Sequence, residues 1–272
     1  MTYPERQHHY FKFESSSFHH EQFLQYVRQN HEQLAEYQTE NAEEQPGCVS
    51  TMAILHSLYG ENLSRLKVLD VGCGQNAPID RILKKKGVSL IGSDPNPGSF
   101  ERFQAEEMGH PKRQPIPPEL DFPIYQTTQE ATTEQRPFDV AISIRLFGFP
   151  LLVKDGEKAE YSKAQGDNYV AWLRHFDREA TKEEYLHRLE EMTQSVKEQG
   201  GILIIVFQPN KDFTIPDEGS IWDQMISQND LTKFGLELIK NRSQNKKDAS
   251  EIQNIDASII DDYQETVILK KV

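Results

Sequence analysis

Val68-Leu69-Asp70-Val71-Gly72-Cys73-Gly74-Gln75-Asn76-Ala77 decides the fold of this 272-residue chain. An apolar run of strand length ends in a carboxylate, meets two glycines one residue apart and gives way to a helical pattern. Gly72 and Gly74 let the backbone turn sharply and approach a ligand with no Cβ in the way. The helix behind them leaves N–H groups unpaired in its first turn. Twenty residues after Gly74 a second apolar run ends at Asp94, and a carboxylate there can accept both hydroxyls of a ribose.

Outward from that stretch, apolar runs alternate with helical segments. Strands are expected over 67–71, 89–93, 122–126, 138–144 and 201–207, and a last pair over 236–239 and 265–269. The run GILIIVF at 201–207 has no polar alternation, as a parallel strand covered on both faces requires. Helices are expected over 77–86, 99–108 and 220–227. Another carries Tyr185, Leu189, Met192 and Val196 on one face, with Thr181 and Glu184 as a capping box and Gly200-Gly201 as its close. Residues 110–121 are Pro-rich loop. Strands alternating with helices imply right-handed crossovers and a mostly parallel sheet. The final two strands, with no clear helix between them, suggest an antiparallel pair at one edge.

The first 66 residues carry no strong strand signal, and residues 1–60 read as a helical cap or lid before an α/β domain spanning 61–272. Phe23, Leu24, Val27 and Leu34 fall at near-helical spacing, Pro46-Gly47 breaks that helix, and Met52, Leu55, Leu58 and Tyr59 mark a second, which Gly60 ends. Tyr3, Tyr10, Phe11 and Phe13 are candidates to close over the site, or simply a terminus.

Composition excludes several classes. Net charge is −13, which argues against broad phosphate-backbone binding and against an anionic membrane surface. No apolar run approaches a membrane span, and no secretory signal is read at the N-terminus. Two cysteines, Cys48 and Cys73, make no disulfide framework, so a reducing, cytoplasmic setting is expected. The pairs His8-His9 and His19-His20 have no Cys or acidic partner at metal-ligand spacing, so no metal is expected.

The glycine turn admits two ligands. As G-x-G-x-x-A with a distant acid it fits a dinucleotide fingerprint, and hence a nicotinamide-dependent oxidoreductase. Asp70 speaks against this, because a carboxylate beside the turn repels a pyrophosphate. A ligand with an ammonium group, a ribose and no phosphate suits the same residues better. VLDVGCG followed by a strand ending in Asp94 resembles the first two motifs of the class I S-adenosylmethionine-dependent methyltransferases. That resemblance implies a Rossmann-like fold with a seven-stranded sheet, its last strand antiparallel and helices on both faces, and methyl transfer that leaves S-adenosylhomocysteine. It places the methionine end of the cofactor at Asp70, Gly72, Cys73 and Gly74, the ribose at Asp94 and the adenine beside Pro95. It offers Thr128 or Gln129 as adenine contacts, and Ser143 and Ile144 as the lining beneath the sulfonium. Two departures stand out. Asn76 replaces the third glycine, and Ser143-Ile144-Arg145-Leu146-Phe147-Gly148-Phe149-Pro150 replaces the Asn/Asp-Pro-Pro-Tyr/Phe that holds a base amine. The implied acceptor is therefore a small molecule or an accessible side chain, not a nucleic acid. A non-catalytic relative that binds a partner is the other reading.

No residue is marked as the catalytic base. Arg145 follows the fourth strand and suits either a substrate carboxylate or an internal acid such as Asp139. His175 lies with Tyr161, Tyr169 and Trp172 in the long stretch after it, and loops of that length are often functional.

Overall fold

In the computed structural model the described residues are 17–30, 32, 34, 47–73, 78–94, 122–144, 147, 177–207, 214–215, 219–241 and 266–272. Seven strands form one sheet: β1 (Lys67–Val71), β2 (Ser89–Ser93), β3 (Ile124–Tyr125), β4 (Val140–Ile144), β5 (Ile202–Val206), β8 (Leu236–Lys240) and β9 (Thr266–Lys271). A separate two-stranded ribbon pairs β6 (Thr214–Ile215) with β7 (Gly219–Ser220). The sheet order is β3-β2-β1-β4-β5-β9-β8. β3, β2, β1, β4 and β5 run parallel, and β9 lies antiparallel between β5 and β8. The chain builds outward from β1 to β3, then returns to lay β4 on the other side of β1. That reversal is a topological switch point, where open α/β sheets bind ligands beyond the carboxyl ends of the strands.

The strands divide their side chains with period two, as a pleated sheet dictates. Val68, Val140, Ile142, Ile202, Ile204, Val206 and Ile268 face one layer of helices. That layer is α1 (Ser17–Gln29), α2 (Cys48–Tyr59) and α3 (Pro78–Lys85), which contribute Phe23, Val27, Met52, Leu55, Ile79 and Leu83 to the same core. Leu69, Val71, Ala141, Leu203, Ile205 and Val267 face the other layer. It comprises α4 (Thr128–Gln135), α5 (Arg178–Ser195), α6 (Ile221–Met225) and α7 (Gln228–Lys233). Both faces are therefore covered, which is why these strands are apolar at nearly every position.

The amino-terminal helices are bound tightly to the sheet. A Cβ on Gly47, which precedes α2 at φ 104°, would lie 3.0 Å from Val206 and 3.3 Å from Ile144. The start of α2 is thus pressed against the carboxyl ends of β4 and β5. Gly60 ends the helix at φ 54°. Tyr3, Tyr10, Phe11 and Phe13 lie outside the described residues, as does the helix expected over 99–108.

Several boundaries differ from the sequence reading. α5 starts one turn earlier than Thr181: the Asp177 side chain caps it by accepting from the Ala180 N–H at 3.0 Å, and Thr181 is a buried helical residue. The T-x-x-E pattern is real but lies inside the helix. Nor does α5 run to Gly200. It stops at Ser195 because Val196 turns extended and bridges Phe138. The Phe138 N–H then donates to the Ser195 carbonyl at 3.0 Å. Gly201 serves close approach instead, since a Cβ there would sit 2.7 Å from the Lys197 carbonyl oxygen. The strand expected from 122 shrinks to two residues, consistent with Pro123 having no N–H to give the ladder. The helix α7 was not foreseen. Ser227 and Asp230 form its capping box, inside a polar run that reads as loop. No described helix is long and apolar enough to cross a membrane.

Candidate functional site

The turn after β1 is tied to the tip of β2. The Gly72 N–H donates to the Ser93 carbonyl at 2.7 Å and the Cys73 N–H to the same oxygen at 3.2 Å. Gly72 has φ 74°, in the left-handed region that residues with a Cβ avoid. The Asp94 N–H in turn donates to the Tyr125 carbonyl at 2.9 Å. Asp70, the Gly72 turn and half-buried Asp94 thus come together on adjacent strand tips.

Cys73 is packing. Gly92 on β2 is the surface it rests on, since a Cβ at that position would lie 2.7 Å from the cysteine Sγ. Burial, with the charges of Asp70, Asp80 and Asp94 around it, pushes the thiol pKa far upward. A thiol held protonated is a poor nucleophile.

Asp70 is 3% exposed, and its Oδ1 has no hydrogen-bond partner. With Val68 it lies on the α3 side of the sheet, by strand alternation. There it meets Asp80, an acid in the first turn of α3 that the sequence reading passed over. Asp80 is fully buried, and neither of its oxygens closes a full hydrogen bond. Burial pushes the Asp70 pKa up to about 7; the contact with Asp80 pulls against that rise, and the charge of Asp94 adds to it. Asp80 is also raised well above the usual carboxylate range, by burial first and by Asp70 second. Two carboxyls buried against one another cannot both ionise cheaply. A sequence signal for Asp80 does exist: it is an acid six residues after Gly74, among Ile79, Ile82 and Leu83, which pack in the core.

At the tip of β4, Ser143 is fully buried and its Oγ has no partner. Ile144 packs on the opposite side, against α2. Beyond the tip of β2, the Ser93 and Thr128 hydroxyls lie 3.2 Å apart, so Thr128 already has a polar neighbour. Gln129 is exposed. The carboxyl ends of β4 and β5 are closed on the α5 side by aromatic rings. Phe147 meets Tyr185 and Trp222 edge-on at 5.4 and 5.6 Å, and Phe207 meets Trp222 at 5.6 Å.

Gly74, Pro95, Arg145 and His175 lie outside the described residues. The internal partner offered for Arg145 is nevertheless taken elsewhere. Asp139 precedes β4, accepts from the Lys67 N–H at 2.8 Å and pairs with Lys197. That places it at the amino end of a strand whose carboxyl end precedes residue 145.

No family model matches the chain, and no curated protein does. Solved structures of similar fold include a magnesium protoporphyrin IX methyltransferase from Synechocystis (13% identical, covering 82% of this chain and 83% of that one, TM-score 0.39). Others are a TehB-like SAM-dependent methyltransferase from Corynebacterium glutamicum (15%, 79% and 89%, TM-score 0.37) and a T. thermophilus 16S rRNA methyltransferase (14%, 84% and 43%, TM-score 0.39). At these scores the likeness carries no argument about activity, which has to come from the residues themselves.

Proposed function

We propose that this protein is an S-adenosylmethionine-dependent methyltransferase acting on a small molecule or an accessible side chain. The observation that carries the reading is the buried Asp70 carboxyl, with an unpaired oxygen, beside a glycine turn at the switch point of the sheet. A diphosphate would meet the acids Asp70 and Asp94 there and be repelled. A ligand bearing an ammonium group at one end and a ribose further along meets the partners it needs. Asp70 would hold the ammonium, and the Gly72–Gly74 turn would admit the chain that links it to the sulfur. Asp94 would hold the ribose and Pro95 would flank the adenine, with Thr128 or Gln129 near its edge. Ser143 and Ile144 would line the sulfur end. These assignments rest on the motif resemblance and on where the strand tips lie.

When bound, S-adenosylmethionine supplies a methyl carbon already activated by its sulfonium. The protein's part is then alignment of an acceptor with the S–CH₃ bond, and exclusion of water from it. A base is required only for an acceptor that arrives protonated; Arg145 and His175 remain candidates for work on the acceptor side. The amino-terminal segment, residues 145–180 and the stretch after Phe207 are proposed to form the acceptor pocket. The net charge of −13 favours a neutral or cationic acceptor over a nucleic acid. Two buried cysteines outside any disulfide suit a reducing, cytoplasmic setting.

Isothermal titration tests the cofactor. S-adenosylmethionine and S-adenosylhomocysteine are expected to bind and NAD is not; NAD binding in their place would make the protein an oxidoreductase. Binding without turnover on any candidate acceptor would leave a non-catalytic relative. Asp94→Ala should weaken S-adenosylhomocysteine by about 1–3 kcal/mol, because two ribose hydroxyls lose a charged acceptor. An unchanged Kd would remove Asp94 from the site.

A further inference from the structure

We infer that Asp80 is a positioning residue for Asp70: the two buried carboxyls share one proton in the ligand-free protein, and docking of a primary ammonium group expels it. The inference rests on the cofactor reading above and adds a residue and a proton to it.

Asp70 and Asp80 meet side chain to side chain. Asp70 comes from β1 and Asp80 from the first turn of α3; both are buried, at 3% and 0% exposure. No donor outside the pair reaches Asp70 Oδ1 or either Asp80 oxygen. Three orphaned acceptors in one dry place are costly, and they point to something that completes them. A proton held between the two carboxyls serves in the absence of ligand, and a cation serves in its presence. Among the described residues, the neighbouring titratable groups do not supply that charge. Asp94, from the tip of β2, is acidic and disfavours ionisation of Asp70. Cys73, from the turn, is held as the neutral thiol. From α2, which packs on the same sheet face, Cys48 is buried, His56 feels Lys86, and Tyr59 feels Asp139, which precedes β4 at the far end of the sheet. Asp80 therefore sets how readily Asp70 ionises without needing to touch the ligand.

The sign follows. Below the pKa of the pair, the proton has to leave before the ammonium is held by a full charge. Affinity then falls as pH falls, by up to about tenfold per pH unit for one linked proton. The experiment is isothermal titration of the wild-type protein at pH 6.5 in buffers of different ionisation enthalpy. At that pH a free α-amine is still mostly protonated, since its ordinary pKa is about 7.7–8.0. S-adenosylhomocysteine is expected to release half a proton or more. 5′-Methylthioadenosine, which keeps the nucleoside and lacks the amino-acid end, is expected to release none. In Asp80→Asn the ligand should still bind, with the release lost and the pH dependence between 6 and 8 flattened. Binding of S-adenosylhomocysteine to the wild type without proton release overturns the inference and leaves the cofactor reading intact, as does equal release by the two ligands. No binding of any S-adenosyl ligand between pH 6 and 8 overturns both. The wild-type measurement stands whether or not the variant folds.

Discussion

Gly72→Val is expected to lower the affinity for S-adenosylhomocysteine by about a hundredfold or more, roughly 3 kcal/mol, while the chain still folds. Two effects combine at this residue. Its φ of 74° lies where a β-branched side chain is strained, at a cost of about 1–2 kcal/mol. Its backbone must also hold the Gly72 N–H on the Ser93 carbonyl, 2.7 Å away. Relief of the strain would move the turn away from the tip of β2, and without relief a side chain stands where the ligand should approach. The strain is small beside the stability of an ordinary domain, about 5–15 kcal/mol. Titration calorimetry reads the affinity and circular dichroism the fold. Wild-type affinity in a folded Gly72→Val protein would contradict the contact.

Asp80→Asn is expected to stabilise the ligand-free protein above pH 7 by about 1–3 kcal/mol, because it removes one of two buried acids that resist ionisation together. Asp70 has a folded-state pKa raised to about 7 from an ordinary 3.8, with Asp80 raised beside it. A raised acid contributes stability that is fully present below its unfolded pKa and lost as pH rises through its folded one. The wild type should therefore lose stability between about pH 4 and pH 7, by up to about 1.4 kcal/mol per pH unit for each linked proton. The variant should lose less over the same range. Urea unfolding at pH 5 and pH 8, wild type against variant, measures the difference of the two slopes. Equal slopes would mean that the carboxyls do not contest a proton.

Legibility in the sequence followed the range of the signal. β1 and β2 match the expected bounds because each is a short apolar run ended by a turn residue, and both facts are local. Gly47 and Gly60 mark the ends of α2 for the same reason. The signals that misled were also local but had competitors. Thr181 and Glu184 make a sound capping pattern, yet Asp177 sits one turn earlier with a free side-chain oxygen, and the burial of Thr181 favours the longer helix. Gly200-Gly201 looked like a helix end, whereas Val196 was taken by an isolated bridge to Phe138, two residues before β4. Among the candidate site residues, Asp70, Gly72 and Asp94 stand out in the sequence as a motif. Asp80 was legible only as an acid among apolar helical neighbours, because nothing in them says that its side chain turns towards β1.

The sequence by itself determined the order of the sheet's strands and the face most of their apolar residues take, because a period of 2 is written in consecutive residues. It also determined that a carboxylate and two glycines stand at the end of the first strand. Only the tertiary structure decided that β9 enters between β5 and β8, that α2 presses on the tips of β4 and β5, and that Asp80 faces Asp70. Those are pairings between segments far apart along the chain. They are chosen by how layers close over a common core, and a burial that two acids must share exists only once that core has formed.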